Sequence, residues 1–213
     1  MATKKKTENE EKNITVSLNL KTVSIPIESI SPLIVSRFDE KSKQQIAEIG
    51  EAAKGLKQGG KKKNITDPEE QYRKSIYYFA DGKTTGFPAV AFKAAMVRAA
   101  QVVYGRVMTT TKMMFRVIAD DPDSGLVKIN GEHRMREDMV RVGGIQKVAA
   151  PRARAEFPVW NAVITVQFLA DVISEEEIIG ILNAAGFTCG VGEWRPEKAA
   201  SGSFGMFRVV NAE

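Results

Sequence analysis

The final third of the chain constrains the fold most tightly. From Trp160 to Phe168 apolar and polar residues alternate, placing Trp160, Ala162, Ile164, Val166 and Phe168 on one side, the pattern of a strand with one buried face. Ser174-Glu-Glu-Glu177 then forms a capping-box pattern. The Ser174 hydroxyl serves the third helical amide, and Glu177 reaches back to the cap amide. The helix it opens is expected to bury Ile178, Ile181 and Leu182 and to stop at Gly186. After a glycine-rich stretch, Phe204 to Val210 reads as a closing strand. Strand, capped helix and strand make half of an α+β domain, in which helices must cover the apolar face of a sheet.

The first part of the chain supplies the other half. Ile14, Val16, Leu18 and Leu20 alternate with Thr15, Ser17 and Asn19 and predict a half-buried strand. Val23 to Ile34 is extended too, but Pro26 and Pro32 assign it to an edge or a loop. Pro88 suits a first helical turn, and Phe92, Ala95, Met96, Ala99, Val102 and Val103 recur at helical spacing until Gly105. A strand is expected at Met113 to Ile118, a turn at Asp120-Asp-Pro-Asp-Ser-Gly125, and a short strand at Leu126 to Ile129. The resulting order, β-α-β…β-α-β, is ferredoxin-like: an α+β fold whose antiparallel sheet carries both helices on one face.

Two segments interrupt that order. Residues 40–85 are polar and rich in Lys, Glu and Gln, with a helix expected around Lys41 to Lys57, a Gly59-Gly60 tip and a short helix opening at Asp67-Pro68. Too few apolar residues are present for a separate core, so the segment reads as a helical insertion. Glu132 to Pro158 has little regular pattern and is expected to be a long basic loop or an irregular hairpin. Residues 1–13 alternate lysine with glutamate, lack an apolar h-region and read as a solvated tail. One domain over 14–213 is expected.

Charge points toward an acidic partner. Lys and Arg number 31 against 26 Asp and Glu, a net +5, and their distribution says more than the sum. Between Arg134 and Arg154 stand Arg134, Arg136, Arg141, Lys147, Arg152 and Arg154 against Glu137 and Asp138. Lys54, Lys57, Lys61, Lys62 and Lys63 surround the Gly-Gly pair. Solvated surface accounts equally well for such runs. The single cysteine, Cys189, fits a reducing compartment, and no apolar run approaches the roughly 20 residues of a membrane span, so a cytoplasmic protein is expected.

The segment from Gly190 to Gly205 carries the functional reading. It holds glycines at 190, 192, 202 and 205 with Arg195 and Lys198 between them. Glycines let backbone amides approach a phosphate closely, and neighbouring cations neutralise it. A dinucleotide site would need a helix directly after the glycines, which Trp194-Arg195-Pro196 blocks. A long hairpin loop whose glycines serve only turns is the competing account. Trp194 beside Arg195, and Phe38 beside Arg37, could stack on unpaired bases. For Trp194, covering a sheet edge is the alternative.

A glycine-rich loop entering a final strand after a capped helix resembles the RAMP superfamily, which includes the backbone subunits of CRISPR effector complexes. Gly86-Phe-Pro-Ala-Val-Ala-Phe-Lys-Ala-Ala-Met-Val-Arg98 is similar to the family's turn into a helix carrying a lysine and then an arginine. Ile14 to Val35, ending in Ser31-Pro-Leu-Ile-Val35, is similar to its first strand and loop. The likeness spans about two-thirds of the chain in the right order, and it extends to stand-alone relatives encoded by bacteriophages, which would act in the cytoplasm of a bacterial host. It implies a modified RNA-recognition fold that grips single-stranded RNA, or single-stranded DNA, by its backbone. Copies would stack along the strand as a homo-oligomer or filament, with protein partners in a nucleoprotein complex. By the same resemblance Lys93 and Arg98 are the basic helix positions, and Gly190, Gly192, Arg195, Lys198 and Gly202 the glycine-rich loop. Arg134, Arg136 and Arg141 of the basic segment, with Trp194, complete the expected nucleic-acid contacts. The loop departs from the family pattern in its length and in Trp194-Arg195-Pro196.

Catalytic chemistry finds little support. No Walker, triad or zinc pattern is present, His133 and Cys189 share no metal-ligand spacing, and no cofactor or metal is expected. Some RAMP relatives cut RNA with a histidine or a loop aspartate, which makes His133 and Asp39 the nuclease alternative. An interaction protein, for instance a viral one joining a CRISPR or recombination complex, is the third reading. The acidic run Asp120-Asp121-Pro-Asp123 reads as a turn before a cation site.

Overall fold

In the computed structural model, residues 18–37, 67–142, 148–198 and 202–210 are described. Their elements are β1 (Leu20–Ser29), β2 (Leu33–Val35), α1 (Pro68–Ser75), β3 (Gly86–Pro88), α2 (Ala89–Tyr104), α3 (Met108–Met114), β4 (Phe115–Ile118), β5 (Leu126–Lys128), β6 (Arg134–Val142), β7 (Val148–Phe157), β8 (Asn161–Leu169), α4 (Glu175–Thr188) and β9 (Phe207–Val209).

The alternation in β8 does what it predicts. Ala162, Ile164, Val166 and Phe168 are buried on one face, with Trp160 just before them in the core, its indole Nε1 donating to the Ser31 carbonyl at 3.0 Å. β8 lies between β4 and β1, and β9 closes the far side of β1, giving the order β4-β8-β1-β9 with antiparallel pairing throughout. Counting only β1, α2, β4, β8, α4 and β9, this is the ferredoxin-like arrangement. α2 and α4 pack against each other over the buried face. The capping box is present in full, with the Glu177 amide donating to the Ser174 Oγ at 3.2 Å and the Ser174 amide to the Glu177 Oε2 at 3.1 Å.

Several boundaries differ from the sequence reading. Leu18 and Leu20, expected on a buried face, are exposed, and residues 14–17 lie outside the described residues. Of the stretch Val23 to Ile34, expected at an edge or in a loop, the part to Ser29 lies instead in the central strand β1 despite Pro26. Pro26 accepts from the Val210 amide at 3.0 Å, so its own missing N–H faces the β9 side just where that short strand ends. Gly186 does not end α4, which runs to Thr188. A Cβ there would strike the Phe207 carbonyl, so this glycine lets α4 press against β9. Met113 and Met114, expected to begin a strand, instead end the helix Met108–Met114, and the strand starts at Phe115.

The basic segment 132–158 is neither loop nor irregular. β6 and β7 are a regular antiparallel hairpin running from Arg134↔Glu156 to Val142↔Val148, with β2 on its other side in the order β2-β7-β6. Where β2 ends, α1 takes over the edge. The Ala155 amide donates to Ser75 Oγ at 2.8 Å and the Ala153 amide to Gln71 Oε1 at 3.2 Å, so buried backbone donors stay satisfied. Residues 67–75 are thereby bound to the hairpin. The expected helix Lys41–Lys57, the lysine cluster from Lys54 to Lys63, Phe38 and Asp39 all lie outside the described residues.

Candidate nucleic-acid interface

The segment 190–205 bridges two parts of the molecule. On one side it meets α2. Arg98 Nε stands 3.8 Å from Glu197 Oε1, and Glu197 Oε2 accepts from Arg195 Nε at 3.2 Å. Lys198 Nζ donates to both oxygens of Glu193, at 3.1 and 3.0 Å. Arg195 also donates through Nη1 to the Gly192 carbonyl at 3.1 Å. Arg98, Arg195 and Lys198, expected from separate stretches of sequence, therefore share one rim. Lys93 lies about 140° around the helix from Arg98, by the helical period, and so points elsewhere.

The glycines meet protein. A Cβ on Gly192, whose φ is +81°, would come within 2.5 Å of the Ile34 carbonyl oxygen, and one on Gly190 within 3.1 Å of the Gly205 oxygen. Gly202 is pressed against the Trp194 carbonyl in the same way. The close approach that the sequence reading assigned to a phosphate is made here by backbone of the same chain. Between this loop, Ser36, Tyr77 and α2 a cleft of about 220 Å³ remains open.

On its other side the loop covers the hairpin. Strand alternation puts Arg134, Arg136 and Asp138 of β6 on one face with Arg154 and Glu156 of β7. Glu156 accepts from Arg134 Nε at 2.7 Å and Arg136 Nη1 at 2.8 Å. Asp138 accepts from Arg136 Nε at 3.0 Å and Arg154 Nη2 at 2.9 Å. The side chains of Glu156 and Arg154 are only 3% and 4% exposed. Above them lie two rings. Trp194 sits 4.6 Å from the Arg154 guanidinium carbon and 5.5 Å from that of Arg136, and Phe204 sits 4.9 Å from Arg136. Burial pushes the Glu156 carboxyl up, but the hydrogen bonds and charges of Arg134 and Arg136 more than offset it and hold it below the usual glutamate range. Arg136 is likewise shifted upward by its bond to Asp138. Arg154 Nε is buried without a partner among the described residues.

The expected residues thus divide. Arg195 lines the cleft, and Arg98 and Lys198 pair with Glu197 and Glu193 of its lining. Arg136 and Trp194 belong to the covered hairpin cluster, with Arg134 at its exposed margin. Arg141 lies on β6 opposite Ala149, and its side chain is outside the described part. Arg154 and Glu156 were missed as site residues. The alternation Arg134-x-Arg136-x-Asp138 against Arg152-x-Arg154-x-Glu156 was the signal that could have shown them facing one another.

No protein-family profile and no curated protein matches the sequence. Solved structures similar to this chain include two Cmr proteins. The Type III-B Cmr-beta complex, described as bound to cognate target RNA, contains a chain matching 91% of this one at 10% identity and a TM-score of 0.49. This chain spans only 60% of that chain's length. Cmr6 from Pyrococcus furiosus is matched over its whole length and 91% of this chain, at 10% identity and a TM-score of 0.41. The likeness to both is distant. It concerns the fold alone and is too distant to carry a function.

The residues of the nuclease alternative have other employment or lie out of view. His133 Nδ1 is 2.7 Å from the Tyr72 hydroxyl, and its ring packs 5.3 Å from that of Phe157. Asp39 is outside the described residues. The acidic run is a turn: Asp121 accepts from the Ser124 hydroxyl at 2.5 Å, the Ala80 amide at 3.0 Å and the Asp123 amide at 3.1 Å. The Ser124 bond, with the backbone donors, holds its carboxyl below the usual range. No group of metal-ligating side chains occurs among the described residues. No helix among them is long and apolar enough to cross a membrane.

Proposed function

We propose that this chain binds single-stranded RNA by its sugar-phosphate backbone and does not cut it. The convergence of Arg98, Arg195 and Lys198 on one rim supports the reading. They come from α2 and from the loop, and their side chains are 44%, 31% and 51% exposed. Pairs this exposed contribute about 0–1 kcal/mol each, so a phosphate can displace Glu193 or Glu197 at small cost while gaining counterion release. Arg136 and Arg154 of the hairpin are different: their carboxylates, Asp138 and Glu156, are largely withdrawn from solvent, and Trp194 and Phe204 cover them. They support the loop from below. Side-chain cations rather than glycine amides then make the contacts. The choice of RNA over single-stranded DNA follows the RAMP-like order of motifs, and the same reading has copies following one another along the strand.

The exposed face of the main sheet is a less suitable platform. Thr22, Ser24 and Pro26 of β1 face outward beside Val163, Thr165 and Gln167 of β8, and Ser24 Oγ lies 3.1 Å from Thr165 Oγ1. Bases stack on rings, and β1 and β8 present none there.

Fluorescence anisotropy tests the reading with labelled RNA and DNA, each single- and double-stranded. At about 50 mM salt, where phosphate contacts are strongest, single-stranded RNA should bind best, and affinity should fall steeply as salt rises. Absence of binding to every probe at that salt ends the proposal.

A further inference from the structure

The cleft beside the loop has a chemistry that phosphate binding leaves unused. Its volume of about 220 Å³ falls below the roughly 300–1,000 Å³ of pockets for drug-sized ligands. Its apolar lining, here called its floor, is Phe87 with Ala91, Ala94 and Ala95, which share one stripe of α2. Glu193, Glu197 and Tyr77 also line the cleft. Tyr77 packs its ring 5.7 Å from that of Phe87, and burial raises its phenol pKa, so it stays neutral. Carboxylates only accept hydrogen bonds, as a phosphate does, so the backbone of a strand gains nothing inside the cleft and stays with the cations. A second cation gains little inside, because Lys198, Arg195 and Arg98 already neutralise the two acids. A carboxylate has about four acceptor positions, and those the cations leave on Glu193 and Glu197 suit a neutral, planar group that donates N–H bonds.

We propose that this cleft receives one unpaired nucleobase bearing an exocyclic amino group, cytosine being the smallest, with its ring on the alanine floor and its amino group donating to Glu193 or Glu197. Glutamate accepting from the cytosine N4 amino group is an established base contact. Uracil has the same size but offers a carbonyl oxygen there, which the carboxylates repel. The biological setting rests on the RNA-binding reading above, whereas the pocket chemistry needs no strand.

The test therefore uses free nucleosides, which carry no phosphate. Amide NMR spectra of the full chain are recorded while cytidine, and separately uridine, is added. Cytidine should move the Val191, Gly192 and Glu193 amides and half-saturate them at a concentration at least about fivefold lower than uridine. Glu193→Gln, which replaces a pure acceptor by a group that can also donate, should bring that ratio close to one. Ala94→Leu, which fills the floor, should abolish the shifts; if that variant misfolds, the glutamine variant still decides. Unmoved amides with cytidine, or equal responses to both nucleosides, overturn the proposal. Failure of strand binding would show separately, as an oligouridine RNA that leaves anisotropy unchanged while cytidine still shifts the cleft.

Discussion

The guanidinium of Arg154 lies 4.6 Å from the ring centroid of Trp194, and Trp194 is the one described non-glycine residue with positive φ, at +52°. The loop is thus fastened to the hairpin through a ring held on a strained backbone. Stacking over a desolvated cation is worth about 2 kcal/mol, and the left-handed backbone costs a side-chain-bearing residue about 1–2 kcal/mol. The first outweighs or balances the second.

Two substitutions separate these contributions. Trp194→Ala loses the ring and keeps the strain; Trp194→Gly loses the ring and relieves it. Both variants should be less stable than the parent or close to it, and the glycine variant should be the more stable of the two by about 1 kcal/mol. Urea unfolding midpoints measure the difference. An alanine variant as stable as the glycine one would contradict the strain.

Glu156 is the keystone of the ion cluster. Glu156→Ala removes the acceptor of Arg134 and Arg136 while leaving Arg136 half-buried, and breaking a buried pair from one side costs about 3–5 kcal/mol. Arg134→Ala should cost under about 1 kcal/mol, since that side chain is largely exposed and Arg136 still holds Glu156. Denaturant unfolding of the two variants tests the asymmetry.

The same residue gives the fold an acid limb. Its pKa is lowered on folding, so its contribution is present above the ordinary glutamate pKa of about 4.3 and is lost as pH falls through the lower folded value. Unfolding free energy should therefore decline as pH drops below that ordinary value. Glu156→Gln should flatten part of the decline while lowering stability at neutral pH. A variant whose acid limb matches the parent's would assign the titration elsewhere.

Much of this architecture was legible from the sequence where one face of an element is buried and the other wet. β8, α4 with its Ser174 cap, and α2 up to Gly105 each carry a clean periodicity. Features set by distant partners were not. Pro26 reads as an edge signal, and only the early end of β9 makes it harmless at the centre. The hairpin's alternation is written in charges rather than apolar residues, because its ionic face is buried under Trp194 and Phe204. Glu156, which neutralises the basic segment, stands two residues beyond Arg154, where the count of that segment stopped. Met113 and Met114 read as the start of a strand, yet Thr110 and Thr111 hydroxyls turn back onto the Val107 carbonyl at 2.9 and 2.8 Å within α3, and the two methionines end that helix.

The ion pairs around the loop make opposite predictions for two kinds of substitution. Measured on oligouridine RNA, to keep base recognition out of the result, Arg195→Ala and Lys198→Ala should each weaken binding and lower the slope of log affinity against log salt by about 1. If Glu197 competes with phosphate for Arg98 and Arg195, then Glu197→Gln should release both cations and bind more tightly than the parent, with a steeper slope. Arg208→Ala removes a cation paired with Glu28 across the edge strand β9, outside the Glu193 and Glu197 pairs, and should leave the slope unchanged. A Glu197→Gln variant that binds no better, beside alanine variants with parental slopes, would mean that these cations serve the loop's own packing and that nucleic acid, if bound, lies elsewhere.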